Sequence, residues 1–321
     1  MKHIALTVAI AAVCFVGIAP ERVKACGLCG CSLAPPGDIA FSSIGWDLPE
    51  PGTLRLSLES RQSFHTTQPH PTVLESTFEN RNSLFVAYTP HRYVTVQALM
   101  PVVYRSVEES DGSPPARAFG LGDSDVSLRV RLFGLSSRSS QHAFYIMGGV
   151  KLPSAANHSG ADGAALGHAA QLGTGSWDPI ASLSYVGAVD RVSLFAVESL
   201  RLTTTGRDGW RAGTSFVSTL AARYALSDSF ALMLAADGIY SQRDTVNGAA
   251  VGDTGGFLLY VTPSALMQIA PPALLRFAIQ IPTIHANAGT QTESVALLVS
   301  LVFTHVPETA PVPAPPASPM I

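Results

Sequence analysis

The chain has 321 residues, a net charge of −3 and 13% charged residues, about half the charged fraction of a soluble globular protein. The sequence has no segment in which Lys and Arg alternate with aromatic residues, as a nucleic-acid surface would require. Beyond the N-terminus, no apolar run is long enough for a spanning helix. Mean hydropathy is nevertheless positive, at +0.26. A transmembrane β-barrel explains this combination, because its lipid-facing apolar residues occupy every second position.

Residues 1–25 have the pattern of a signal peptide. Lys2 and His3 precede an apolar segment over 4–19, and Val23-Lys24-Ala25 follows as a V-x-A cleavage site. We therefore expect export, with cleavage after Ala25. The alternative is a retained single-pass anchor, which is disfavoured because the apolar stretch is near the short limit for spanning.

Residues 26–52 are predicted to form a Cys-rich periplasmic segment or plug. Cys26, Cys29 and Cys31 form C-x-x-C-x-C, a spacing that lets two or three sulfurs bind one soft metal ion such as Cu(I) or Zn²⁺. The favoured alternative is that these cysteines form a disulfide or remain inert thiols, because the compartment is oxidising. A third and weaker alternative is lipidation of Cys26. No other cofactor is expected.

Alternating apolar and polar residues over 53–305 predict an all-β fold, a closed antiparallel transmembrane barrel of about twelve strands. In one clear segment, Val126, Leu128 and Val130 point one way while Ser127 and Arg129 point the other. The predicted strands are 53–66, 80–89, 93–106, 124–134, 142–153, 177–188, 191–204, 212–226, 229–242, 256–269, 273–285 and 293–304.

The predicted connections alternate between long and short, which is typical of bacterial barrels with long external loops and short periplasmic turns. The long ones are 67–79, 107–123, 154–176, 205–211, 243–255 and 286–292. An even strand number returns both termini to the periplasm. Residues 306–321, rich in Pro and Ala, are expected to form a disordered periplasmic tail.

The strand phase directs mainly basic side chains into the predicted lumen. The residues are Arg55, Glu59, Arg61, Arg105, Arg129, Arg131, Lys151, Arg191, Arg201, Arg223, Asp237 and Arg276. A ring of positive charge favours anion passage. Alternatively, these cations pair with acidic residues of inward-folded connections, namely Glu108, Glu109, Asp111, Asp123, Asp162 and Asp253. Glu198 falls on the lipid phase, so either a bulge resets the register or the residue lies near a membrane interface.

Three segments carry a family resemblance. Residues 121–126 (LGDSDV), 149–153 (GVKLP) and 172–179 (LGTGSWDP) occur in the order found in the outer-membrane transporter family named for the meta-pathway of phenol degradation, which they resemble. The resemblance implies a porin-like barrel that moves small hydrophobic or aromatic compounds. The Cys-rich N-terminus departs from the phenol-type pattern.

The sequence therefore predicts an outer-membrane barrel that passes a small solute passively, with outer-membrane lipid, the barrel-assembly machinery and the solute as partners and no nucleic acid. Twelve strands give a narrow bore. No nucleotide-binding motif and no serine nucleophile motif occurs, so we expect no enzyme. The alternative functions are metal-ion handling through the Cys segment and a closed structural scaffold.

Overall fold

The computed structural model of the chain describes residues 50–307, apart from 71–72, 138–139, 157, 159–165, 253 and 288–290. The predicted signal peptide, the three cysteines and nearly all of the C-terminal tail lie outside these residues. Among the described residues, no helix has the length and hydropathy needed to cross a membrane.

Twelve antiparallel strands form one closed barrel. In chain order they are β1 (Leu54–His70), β2 (Val73–His91), β3 (Val94–Glu109), β4 (Ser124–Ser136), β5 (Ser140–Leu152), β6 (Asp178–Val189), β7 (Val192–Arg201), β8 (Ser215–Ala225), β9 (Phe230–Ser241), β10 (Gly256–Ala270), β11 (Ala273–Asn287) and β12 (Ala296–His305). Each strand pairs with its sequence neighbours, and β1 pairs with both β2 and β12. Because the first and last strands pair, the sheet has no free edge, as a membrane barrel requires.

The first outer connection is much shorter than predicted. Residues 67–79 were expected to form a long loop, but β1 continues to His70 and β2 begins at Val73. The ladder shifts register between Thr67 and His70. Phe64 and Phe78 lie 4.7 Å apart on this extended hairpin, and such cross-strand ring contacts stabilise a hairpin whose other residues are mostly polar.

Short elements organise the other outer connections. The strand Ala116–Leu121 pairs with β3, and Thr292–Glu293 pairs with β1. The segments Trp210–Arg211, Thr245–Val246 and Ala249–Ala250 form a separate small sheet that joins two outer connections. Two single-turn 3₁₀ helices complete the described elements, at His168–Ala170 and Arg207–Gly209.

The outward face of the wall is apolar. Exposed Leu58, Leu128, Leu183, Leu234 and Phe277 belong to a belt that runs around the strands, as expected for side chains in contact with lipid. Near the short turn between β4 and β5, an aromatic group forms on this face. Its members are Phe133, Phe144 and Tyr185, with neighbouring ring centroids 4.6 and 4.8 Å apart. Such rings are typical of a membrane interface.

Glu198 lies on this outward face, as its sequence phase indicated. The ladders of β7 show no register shift on either side, so no bulge turns the side chain inward. The Ser218 hydroxyl donates to Glu198 Oε1 at 2.8 Å. Trp210 does not join the aromatic residues of the outward face, because it is buried in the outer connections.

Candidate functional site in the barrel interior

The inward face of the wall is polar and charged. Side chains alternate along each strand, so that buried residues such as Ser57, Glu59 and Ser63 of β1 face the interior while Leu58 and Phe64 face outward. Among the residues predicted to line the lumen, Glu59, Arg105, Arg129, Lys151, Arg201 and Arg276 are buried, whereas Arg55, Arg61, Arg131, Arg223 and Asp237 are partly buried. Arg191 differs, because it lies exposed in the two-residue turn between β6 and β7.

One interior cluster is built around Lys151 near the outer end of β5. The Lys151 Nζ lies 2.9 Å from Asp123 Oδ2 and 2.8 Å from Asp178 Oδ2. It also donates to the Thr174 hydroxyl and, at 3.1 Å, to Ser176 Oγ. All three charged side chains are at most 7% exposed. Each buried charge in this cluster is compensated by the others, so removing one side chain would leave an uncompensated charge in the interior.

This Lys151 cluster ties three outer connections to the wall. Asp123 accepts hydrogen bonds from the backbone N–H groups of Thr174, at 2.8 Å, and Ala155, at 3.2 Å. Asp178 Oδ1 accepts the backbone N–H of Thr204 at 2.9 Å. The cluster also accounts for the three sequence segments 121–126, 149–153 and 172–179, since each contributes charged or hydroxyl groups to it.

A second ionic group lies beside the first. Arg105 donates to Glu79 Oε2 at 2.5 and 3.1 Å, and Arg81 donates to Glu79 Oε1 at 2.9 Å. Arg105 also donates to the backbone carbonyl of Gln171 at 2.5 Å. The Gln171 side chain in turn donates to the carbonyls of His158 and Leu166. These contacts hold the outer connection between β5 and β6 inside the barrel.

A third polar group is shared by β1, β11 and β12, on the other side of β1 from the second group. Arg61 donates to Gln280 Oε1 at 3.0 and 3.2 Å. Glu59 accepts the Ser300 hydroxyl at 2.7 Å and lies 3.7 Å from the guanidinium of Arg276. These contacts join strands that are not all adjacent, so the side chains meet in the interior.

Further interior ion pairs and ring contacts complete the charged surface. Arg201 of β7 lies 3.0 Å from Asp125 of β4, although two strands separate them along the wall. The guanidinium of Arg129 lies 3.8 Å from the ring centroid of Tyr145, within the range of a cation–π interaction. Asp237 accepts hydroxyl hydrogen bonds from Thr219 and Thr262.

The acidic partners are mostly strand residues rather than loop residues. Among the six acidic residues expected to fold inward, Asp123 pairs with Lys151, while Glu108, Glu109 and Asp111 are exposed. Asp162 and Asp253 lie outside the described residues. The sequence reasoning missed Glu79, Asp125 and Asp178 as partners. The inward strand phase of Asp125 and Asp178 was available from the alternation pattern and could have identified them. Glu79 could not be identified in this way, because it lies in the segment 67–79 that was predicted as a loop and belongs to β2 in the structure.

Glu293 lies in the outer connection between β11 and β12 and is buried. Burial raises the pKa of the Glu293 carboxyl to about 7. The charge of Arg61 and a hydrogen bond from Tyr260 lower this pKa, and the charge of Glu79 raises it further. His65 is its cross-strand neighbour on β1. The carboxyl is therefore mainly neutral below pH 7 and ionises above it.

Part of the inner half of the barrel has an apolar wall. Phe195, Met233, Leu266 and Leu274 belong to one buried cluster that spans β7 to β11. A separate interior cavity of about 30 Å³ is lined by apolar and polar side chains, namely Phe85, Leu99, Met147, Val217, Gln97, Asp125, Ser127 and Arg201. A cavity of this size has room for water.

Comparisons with known proteins agree with this architecture. A sequence model of the family described as "Putative MetA-pathway of phenol degradation" matches residues 81–271. The crystal structure of an outer-membrane channel from Pseudomonas putida F1 is similar, with a TM-score of 0.62 and 14% identity over 81% of this chain and 99% of that one. At this identity the likeness concerns the fold alone.

Two further solved barrels are more distant. The translocator domain of the autotransporter NalP from Neisseria meningitidis has a TM-score of 0.43 and 14% identity, over 83% of this chain and 93% of that one. The monoaromatic hydrocarbon channel CymD has a TM-score of 0.40 and 9% identity, over 90% and 94% of the two chains. No protein of curated function matches the sequence.

Proposed function

The chain belongs to the phenol meta-pathway family of outer-membrane barrels, and we propose that it is a passive channel for a small solute. The observation that carries the proposal is the closed twelve-stranded wall with an apolar outer face and a polar, charged inner face. This division places lipid outside and a water-compatible path inside. The name of the family points to aromatic compounds as the solute class.

The interior charges set the expected selectivity. Ion pairs neutralise Arg105, Lys151, Arg201 and Arg276 at least in part. The wall still carries more basic than acidic side chains, so we expect a moderate preference for anions rather than a strict one.

Single-channel conductance of the refolded mature protein in planar bilayers tests the proposal. We expect small currents, because a barrel of twelve strands has a narrow bore, and a reversal potential that indicates anion preference. Replacing Arg129 and Arg131 with Glu should move the reversal potential toward cation preference. Absence of current in the wild-type protein, under conditions where a known porin conducts, would instead support the closed scaffold.

Several finer features belong to the same proposal. Cleavage after Ala25, folding by the barrel-assembly machinery and the absence of a catalytic step are expected but remain to be tested. N-terminal sequencing of protein isolated from outer membranes would test the cleavage. Titration of the full mature chain with Zn²⁺ or Cu(I), compared with a variant in which Cys26, Cys29 and Cys31 are Ser, would test the soft-metal site.

A further inference from the structure

Arg223 differs from the other basic side chains of the interior. It lies on the inward phase of β8, two residues before the strand ends at the short-turn side, and it is partly buried. Among the described residues its side chain has no ion pair and no hydrogen bond, and its Nε is buried without a partner. A guanidinium in this position is an available donor for an anion.

The surroundings of Arg223 are apolar on one side. Met233 lies directly opposite it on β9, and Ser193 lies opposite it on β7. Met233 belongs to the buried apolar cluster with Phe195, Leu266 and Leu274. A fixed positive charge thus lies at the edge of an apolar wall, near the inner mouth of the barrel.

We propose that Arg223 and this apolar wall form a subsite for a small monocarboxylate with an apolar body. The carboxylate would accept paired hydrogen bonds from the guanidinium, and the ring or chain would lie against Met233 and Phe195. The subsite deepens the proposed channel function and rests on it, because the ligand is taken to be the solute that passes. Neither a neutral ring nor a short carboxylate can use both parts of the subsite.

Binding to the refolded mature chain in detergent tests the subsite without requiring conduction. Calorimetric titrations compare benzoate, which has a ring and a charge, with benzyl alcohol, which has only the ring, and acetate, which has only the charge. We expect benzoate to bind at least about tenfold more tightly than either, since charged hydrogen bonds contribute about that factor or more. Arg223→Gln should remove this advantage, and Arg223→Lys should keep part of it.

Arg191→Gln is the matched control, because Arg191 lies at the same end of the barrel but is exposed in a turn. It should leave benzoate affinity unchanged, and heat-modifiable migration on gels should show that each variant is folded. Equal affinities for benzoate and benzyl alcohol, or an unchanged affinity in Arg223→Gln, would overturn the subsite.

Conductance of the same preparations separates the two proposals. Current without Arg223-dependent binding would leave the channel proposal standing and refute the subsite. Arg223-dependent binding without current would support the subsite as a binding site and refute passive conduction. Benzoate block of the current that is weakened by Arg223→Gln, but not by Arg191→Gln, would support both.

Discussion

Replacing Lys151 with Met removes the cation that compensates Asp123 and Asp178. All three side chains are almost fully buried, and loss of one partner from a buried ionic group typically costs about 3–5 kcal/mol. Asp123 retains hydrogen bonds from Thr174 and Ala155, so we expect the lower end, about 3 kcal/mol. Because the closed strand ladder does not depend on Lys151, this cost should fall on the attachment of the outer connections. A loss of about 3 kcal/mol raises the fraction of molecules whose outer connections are detached from the wall roughly a hundredfold.

Limited proteolysis of the refolded protein measures that fraction through cleavage within the outer connection 153–177. We expect faster cleavage in Lys151→Met, with the barrel itself still folded, and larger single-channel currents. Arg131→Met is the control, since it removes an interior cation near the opposite end, where the guanidinium lies over the ring of Tyr93. Equal cleavage rates in the wild type and Lys151→Met would refute the idea that the cluster holds the connections inside.

Two other perturbations test neighbouring parts of the structure. A Cβ at Gly173 would collide with Asp123 Oδ1, whereas a Cβ at Gly167 meets nothing within 4 Å. Gly173→Ala should therefore accelerate the same cleavage, and Gly167→Ala should not. Anion preference should fall as pH rises through about 7, because the Glu293 carboxyl ionises there beside Arg61. Reversal potentials measured between pH 5 and 9 should show this change in the wild type, and a change of equal size in Glu293→Gln would rule out Glu293 as its source.

The strands could be predicted from the sequence because lipid and interior impose opposite requirements on alternate residues. The described barrel strands lie near the predicted ones, and the final β12 (Ala296–His305) has the expected alternation. The extended first hairpin could not be predicted in the same way. Above the apolar belt neither face has to be apolar, so residues such as Thr67 and Thr77 look like loop residues although they belong to the β1–β2 ladder.

The interior could be predicted less completely. The alternation indicates which side chains share the inward phase, but it does not show which of them meet across the barrel. Arg201 and Asp125 are 76 positions apart, and their contact depends on barrel curvature and strand tilt. The outer connections could be predicted only as long segments. Their attachment through Lys151 and Gln171 depends on side-chain geometry, although the sequence segments that supply these contacts were recognisable.

The closed ladder limits how a path through this barrel can open. Widening the wall would break backbone hydrogen bonds between paired strands, which is costly in lipid because no water replaces them. The movable parts are therefore interior side chains and the outer connections. Lys151 and Arg105 hold the connection between β5 and β6 through several polar contacts. The inner half has wall-to-wall contacts, such as the Glu59–Arg276 pair at 3.7 Å and the apolar cluster around Met233, and among the described residues these contacts attach no outer connection. We therefore expect release of the outer connection, rather than passage along the inner half, to limit the rate at which solute crosses.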